Sequence, residues 1–277
     1  MNALLFTMLV GCGGIAAGLL GSLTGLGGGV VIVPLLTLVF GVDIHYALGA
    51  SLISVIATSS GAASAYVREG YSNMRIAMFL EIATTAGAVI GASLTTVLPP
   101  AIIAIVFGGA LIYSAYLTGH QPKDNEECVP DRLTAKLRMN GTYPTAEGPK
   151  AYNVRNVAGG FGLMTVAGAL SGLLGIGSGA LKVLAMDRIM RVPFKVSTTT
   201  SNFMIGVTAA ASAGIYLGNG YVEPALVMPV MLGVLAGSML GSRILPRAHL
   251  KVLRIIFTLA ILALGIEMIY NGFTGRF

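Results

Sequence analysis

Charge is scarce in this chain. Only 10% of its 277 residues are Asp, Glu, Lys or Arg, against roughly a quarter in soluble domains. A water-soluble globule could not be covered with so little. With 55% hydrophobic residues and a mean hydropathy of +0.83, the chain belongs in a bilayer. Its two cysteines, Cys12 in an apolar run and Cys128 in a polar stretch, have no metal or redox spacing and are expected as free thiols. The net charge of +6 comes from basic residues lying between apolar runs. No aromatic-basic groove accompanies them, which excludes nucleic acid as a partner. No positive n-region precedes the first apolar run, so an uncleaved first span is expected rather than a signal peptide. There is no nucleophile-base-acid set and no metal-ligand spacing, so the sequence implies neither an enzyme nor a cofactor.

What is present is a series of apolar runs, near 3–20, 46–67, 76–98, 101–119, 156–174, 196–217, 225–245 and 251–271. Each approaches or exceeds the roughly 20 residues that a spanning helix needs. The chain also repeats itself. Gly-Leu-Gly-Gly-Gly-Val-Val-Ile-Val-Pro at Gly25 to Pro34 returns as Gly-Ile-Gly-Ser-Gly-Ala-Leu-Lys-Val-Leu at Gly175 to Leu184, an offset of 150. At the same offset Ser51 meets Ser201, Thr58 meets Thr208, Tyr66 meets Tyr216, Tyr71 meets Tyr221 and Met78 meets Met228. The reading is a duplication: a first membrane repeat over 1–119, a cytoplasmic connecting loop over 120–155 and a second membrane repeat over 156–277.

Gly11-Cys12-Gly13-Gly14-Ile15-Ala16 formally matches a dinucleotide fingerprint, but no strand-helix-strand context surrounds it. Gly14 and Gly18 instead have the small-xxx-small spacing of closely packed membrane helices. Beyond the break at 21–29, the apolar run 30–40 is 11 residues long, enough for roughly half a hydrocarbon core. Residues 180–190 repeat it. Each copy therefore carries a glycine-rich break followed by a half-helix. Within 120–155, Asn140-Gly141 is a candidate hairpin turn.

Lysines and arginines set the orientation. If each half-helix and its preceding loop complete a crossing, each copy crosses five times, and 15 of the 17 basic residues fall on the cytoplasmic side with the central loop. If the breaks are hairpins, the clusters at Arg188 to Lys195 and Arg243 to Arg254 fall outside. The first arrangement is expected, with both termini outside the cytoplasmic membrane. An odd number of crossings turns the second copy over. The expected fold is thus an all-α, polytopic integral membrane protein of two inverted repeats, as in many secondary transporters.

Such a repeat aims two half-helix N-termini at the midplane, where unpaired N–H groups and positive dipole ends suit a small anion. The candidate substrate residues are Gly25, Gly27, Gly28 and Gly29 in the first break, and Gly175, Gly177, Ser178 and Gly179 in the second. The aligned pair Ser51 and Ser201, with Asn202 in the polar run from Ser197, joins them, as does Lys182. An intramembrane lysine is costly and marks function by default, although pairing with Asp187 or snorkelling is the alternative. Other hydroxyls, including Ser54, Thr58, Ser59 and Ser60, are expected to bond their own backbone. Glu81, two turns into its span, is a candidate proton-coupling carboxylate; Glu267 reads as interfacial. His45, His120 and His249 fall at span ends or in the loop.

On the paired Gly-x-Gly-Gly-Gly motifs, and on Lys195-Val-Ser-Thr-Thr-Thr-Ser-Asn-Phe203, the chain resembles the TauE/SafE family, the toluene sulfonate uptake permeases. The resemblance covers essentially both copies. It implies a permease for sulfite, sulfonates or related sulfur-containing anions, with substrate contact at Gly25, Gly27, Gly28, Gly29, Gly175, Gly177 and Gly179. Ser178 in place of a motif glycine, Leu184 opposite Pro34, and the added Lys182 are departures that make the site asymmetric. The expected function is alternating-access transport of such an anion. An anion channel and a membrane scaffold or assembly factor remain as alternatives. The expected partners are the small anion and the lipid bilayer; the sequence specifies no oligomeric state, transport direction or coupling ion.

Overall fold

A computed structural model of the chain describes residues 3–24, 28–68, 72–119, 134, 136–145, 148–244 and 250–274. The first copy runs through α1 (Ala3–Thr24), α2 (Gly29–Pro34) continued by a π-helical turn (Leu35–Val39), α3 (Ile44–Arg68), α4 (Met74–Leu94) and α5 (Pro100–Gly119). A hairpin of β1 (Gly141–Thr145) and β2 (Gly148–Tyr152) follows. The second copy comprises α6 (Val157–Leu174), α7 (Gly179–Leu184) with its π turn (Ala185–Ile189), α8 (Phe194–Gly218), α9 (Pro224–Ile244) and α10 (Leu250–Phe273). The offset of the motifs is built into these boundaries. α3 and α8 each have 25 residues and begin at 44 and 194; α4 and α9 each have 21 and begin at 74 and 224.

The half-helices reproduce one another in detail. Pro34, which has no N–H to donate, could explain the wider π register that follows it. Leu184 stands at the same place in the second copy and the π turn still forms, so the wide turn belongs to the repeat rather than to the proline. Both turns close alike: Val42 N donates to Leu36 O and Val192 N to Met186 O, each at 2.9 Å.

Small residues let the helix backbones meet. A Cβ on Gly14 would lie 2.9 Å from Val230 O, and Gly18 faces Val234, Gly233 faces Gly11 and Gly237 faces Ile15. The numbers rise together, so α1 and α9 run parallel. Gly87 and Gly91 likewise meet Thr165 and Ala169 on α6, while Gly168 and Gly172 meet Thr84 and Ala88, making α4 and α6 parallel. The other pairs run oppositely. Gly108 meets Gly265 while Gly272 meets Ala101, so α5 and α10 are antiparallel. Gly206 meets Ser59, and the Asn73 amide just beyond α3 bonds the Thr200 hydroxyl, so α3 and α8 are antiparallel too. Close backbone approach of this kind is how helices associate where lipid removes the hydrophobic drive.

Outward faces are apolar. Met78, Ile82, Val97 and Leu217 are each more than 60% exposed, which a water-soluble surface rarely tolerates in such number. Among the described residues, α4 and α6 are each long and apolar enough to cross a bilayer alone. Leu5–Gly21, Gly29–Val39, Ile44–Ser60, Pro100–Tyr113 and Pro224–Leu240 are shorter apolar helices.

The connecting segment differs from a solvated linker over its later part. Met139 and Val154 are buried in a cluster with Ile76, Met190, Val192 and Val196. Asn73 Nδ2 donates to Met139 O at 2.9 Å and to the Tyr152 hydroxyl at 2.7 Å. Asn140-Gly141 is not the hairpin turn: Gly141 pairs with Tyr152 at the open end, and Thr145 pairs with Gly148 at the other. The Asn140 side chain is used to accept from Val154 N at 2.9 Å, closing the base of the hairpin. A purely helical reading therefore omits this two-stranded element. His120, Cys128 and His249 lie outside the described residues; Cys12 is a free, exposed thiol.

Candidate functional site

The second break starts where Gly175 takes a left-handed conformation, φ 64°, and its N–H closes α6 on Ser171 O at 2.9 Å. Gly177 is left-handed too, at φ 72°, and a Cβ there would sit 2.7 Å from Ile205 Cγ2. Glycine is required at these two positions on both grounds. Ser178 is left-handed without being glycine, at φ 43°, a conformation that costs of order 1 kcal/mol or more. Its hydroxyl donates to Ala167 O at 2.6 Å, which holds it there. Tyr216 braces the same region, its hydroxyl donating to Gly172 O at 3.1 Å.

Gly25 and Gly27 lie outside the described residues. Gly28 and Gly29 open α2, and they bring the two copies into contact. A Cβ on Gly29 would be 2.6 Å from Ser51 Oγ and 3.1 Å from Gly175 O, while Ser51 donates to that same Gly175 carbonyl at 2.7 Å. The start of the first half-helix thus rests on the break that precedes the second. Ser201, the repeat mate of Ser51, donates to Gly179 O at 3.3 Å, so the two serines are tied to the same break from different helices. Asn202 is buried beside it in sequence, 9% exposed. Ser171 Oγ, one turn before Gly175, is buried without a hydrogen-bond partner.

Lys182 is completely buried. Its partner is not Asp187, which lies 3.8 Å from Arg188 instead, nor does the side chain snorkel to water. Lys182 Nζ donates to Thr208 Oγ1 at 2.6 Å and approaches Met204 O at 3.3 Å. Thr208 in turn donates to Glu81 Oε1 at 2.7 Å, and Thr85 donates to the same oxygen at 3.2 Å. Glu81 Oε2 is buried with no hydrogen-bond partner. The structure therefore joins two residues that sequence reasoning considered separately, through one that it noticed only as a repeat match. The missed signal was that Lys182 and Glu81, both costly in a membrane and both without a like mate in the other copy, had to be near each other or near a ligand.

The remaining hydroxyls mostly bond their own helix. Ser54 donates to Ala50 O, Thr58 to Ser54 O and Val55 O, and Ser59 and Ser60 to Ile56 O. Glu267 is exposed. His45 is bonded to Asp43 and to Thr95 O and is stacked on Tyr221. Among the described residues no group of three or more His, Cys, Asp or Glu could hold a metal ion.

Comparison with known proteins bears on what this arrangement serves. The chain is 28% identical over 266 residues to a probable membrane transporter protein of Bacillus subtilis (strain 168), YunE, covering 94% of this chain and 96% of that one. A second B. subtilis probable membrane transporter protein, YdhB, is 28% identical over 82% of this chain and 86% of its own length. A probable membrane transporter protein of Xylella fastidiosa (strain 9a5c) is 26% identical over 95% of this chain and 94% of its own length. No solved structure gives a significant match. These relatives are named as transporters rather than enzymes, and the family model described as "Sulfite exporter TauE/SafE" matches residues 10–268. With that match spanning nearly the whole chain, the protein belongs to the TauE/SafE family of membrane transporters.

Proposed function

We infer that the protein is a secondary transporter of small, sulfur-containing anions of the sulfite, thiosulfate or sulfonate class, working by alternating access in the cytoplasmic membrane. The observation that carries this reading is the meeting of the two copies at Gly29, Ser51 and Gly175, with the buried Lys182 in the following half-helix. Backbone N–H groups at a helix start favour an anion, and an ammonium in a low-dielectric interior adds to that preference. The family description names sulfite, which supports the substrate class.

The helix directions support inverted repeats. Five crossings per copy make α3 antiparallel to α8 and α5 antiparallel to α10, while keeping α1 with α9 and α4 with α6 parallel, which is the observed set. Four crossings per copy would leave all four pairs parallel. With the inverted arrangement, the positive-inside rule assigns the connecting segment to the cytoplasm and both termini to the outside.

The reading is tested in proteoliposomes by uptake and counterflow of sulfite, thiosulfate, sulfate and a small sulfonate. Saturable movement of at least one sulfur anion is expected, reduced by Lys182→Ala. Failure of all four to move, in protein shown by light scattering and tryptic pattern to be folded, would overturn it.

A further inference from the structure

Resting on that transporter reading, we propose that Glu81 is the proton site of a proton–anion symport, taking one proton onto Oε2 whenever the substrate anion draws on the charge of Lys182. Lys182 and Glu81 come from different copies and share one atom. Thr208 Oγ1 receives a hydrogen bond from Lys182 at 2.6 Å and has a single proton of its own, for which two acceptors compete: Glu81 Oε1 at 2.7 Å and Met204 O at 2.8 Å. With Glu81 ionised, the hydroxyl points to the carboxylate and the charges of Glu81 and Lys182 balance inside the protein. Oε2, buried and without a partner, is the open position for a proton.

Adding a monoanion near Lys182 while Glu81 stays ionised leaves a net negative charge in a low-dielectric interior. Protonating Glu81 without an anion leaves a net positive one. Both are disfavoured, and only the two balanced states remain: no anion with ionised Glu81, or anion with protonated Glu81. Proton affinity and anion affinity are therefore linked and reciprocal. On protonation Thr208 can turn its hydroxyl to Met204 O. The proton comes from water on one side and returns to water on the other; nothing is oxidised or reduced.

Few other groups can supply this balance. α4 itself carries Arg75, at its exposed start. Of the helices packed on α4, α6 has no titratable side chain, and α8 has Lys195 near its start and Tyr216 near its end. In the second half-helix and its π turn, Asp187 faces Arg188. The first copy cannot duplicate the device, because the mates of Lys182, Thr208 and Glu81 are Ile32, Thr58 and Met231. One proton per cycle follows.

The experiment uses proteoliposomes with methanesulfonate and thiosulfate as probes, since neither exchanges protons near neutral pH, and a pH dye in the lumen. For methanesulfonate, wild type is expected to acidify the lumen by one proton per anion and to accumulate the anion about tenfold per unit of inward pH gradient, the one-proton limit. Glu81→Gln, locked in the neutral form, is expected to keep counterflow and lose gradient-driven accumulation. Thr208→Val is expected to weaken the coupling and Thr208→Ser to restore it. Net methanesulfonate uptake without lumen acidification in wild type, which needs no variant to fold, overturns the inference alone, as does gradient-driven accumulation by Glu81→Gln. Absence of counterflow with both probes, and with sulfite and sulfate, overturns the transporter reading as well.

Discussion

At Ile32 the first half-helix buries a hydrocarbon side chain where the second, at Lys182, buries an ammonium, and the contrast extends to their surroundings. Thr58 bonds only its own backbone at Ser54 and Val55, whereas its mate Thr208 joins Lys182 to Glu81. Met231 stands where the other copy has Glu81. Yet the backbones agree in helix length, in the π turn and in the closing bond at Val42 or Val192. Duplication has kept the scaffold and confined the charge to one side. If, as proposed, the copies exchange shapes between outward and inward states, a one-sided charge pair makes those states differ in energy.

The largest effect should come from breaking that pair on the charged side. Lys182→Met leaves Glu81 buried and unpaired, and removing one partner of a buried pair costs about 3 to 5 kcal/mol. Ile32→Met, a volume-conserving change, should cost less than about 1.5 kcal/mol. Thermal unfolding in detergent checks both. The double variant Lys182→Met/Glu81→Leu should recover most of the lost stability without recovering transport. Recovery of both would mean that the pair serves packing alone.

A smaller contrast lies in the breaks themselves. Gly177→Ala forces a side chain into φ 72° and towards Ile205, with an expected loss of about 1 to 3 kcal/mol and a matching fall in transport. Gly28 has φ −67°, and a Cβ there meets only a side-chain methyl within 3.4 Å, Val234 Cγ1 at 3.1 Å. Gly28→Ala should therefore stay within about 1 kcal/mol of wild type. Equal losses at both positions would remove the conformational distinction between the two half-helix starts.

Much of this scaffold was legible because the same physics was written twice. The offset of 150 foretold matching half-helices, and the observed starts at Gly29 and Gly179 fall within one residue of the apolar runs. Gly14 and Gly18 foretold close packing because small residues at that spacing have few other uses in a membrane. The Lys182–Thr208–Glu81 chain was not legible, since it joins residues separated by up to 127 positions and has no counterpart in the repeat. The hairpin was misplaced, its turn put at Asn140-Gly141, for a different reason. Its strands, Gly-Thr-Tyr-Pro-Thr and Gly-Pro-Lys-Ala-Tyr, lack hydrophobic alternation and each contains a proline, so tertiary bonds from Asn73 rather than strand propensity hold them.

Those bonds supply the mildest contrast, between the two ends of the molecule. At the α8–α9 turn, Tyr221 meets His45 through ring stacking, with centroids 4.9 Å apart. At the equivalent α3–α4 turn, Asn73 instead holds the hairpin through the Tyr152 hydroxyl. Burial raises the pKa of Tyr152 above the ordinary tyrosine value of 10, and the Asn73 hydrogen bond only partly opposes the shift. A folded value above the unfolded one means that the contribution to stability is intact below about pH 10 and is lost as pH rises from there through the folded value. Alkaline solution should therefore loosen the hairpin, read as faster proteolytic cleavage within residues 141–152. Tyr152→Phe cannot ionise; it should lose about 1 kcal/mol of docking at neutral pH and abolish the alkaline dependence. Cleavage that accelerates equally with pH in Tyr152→Phe would assign the effect to another group.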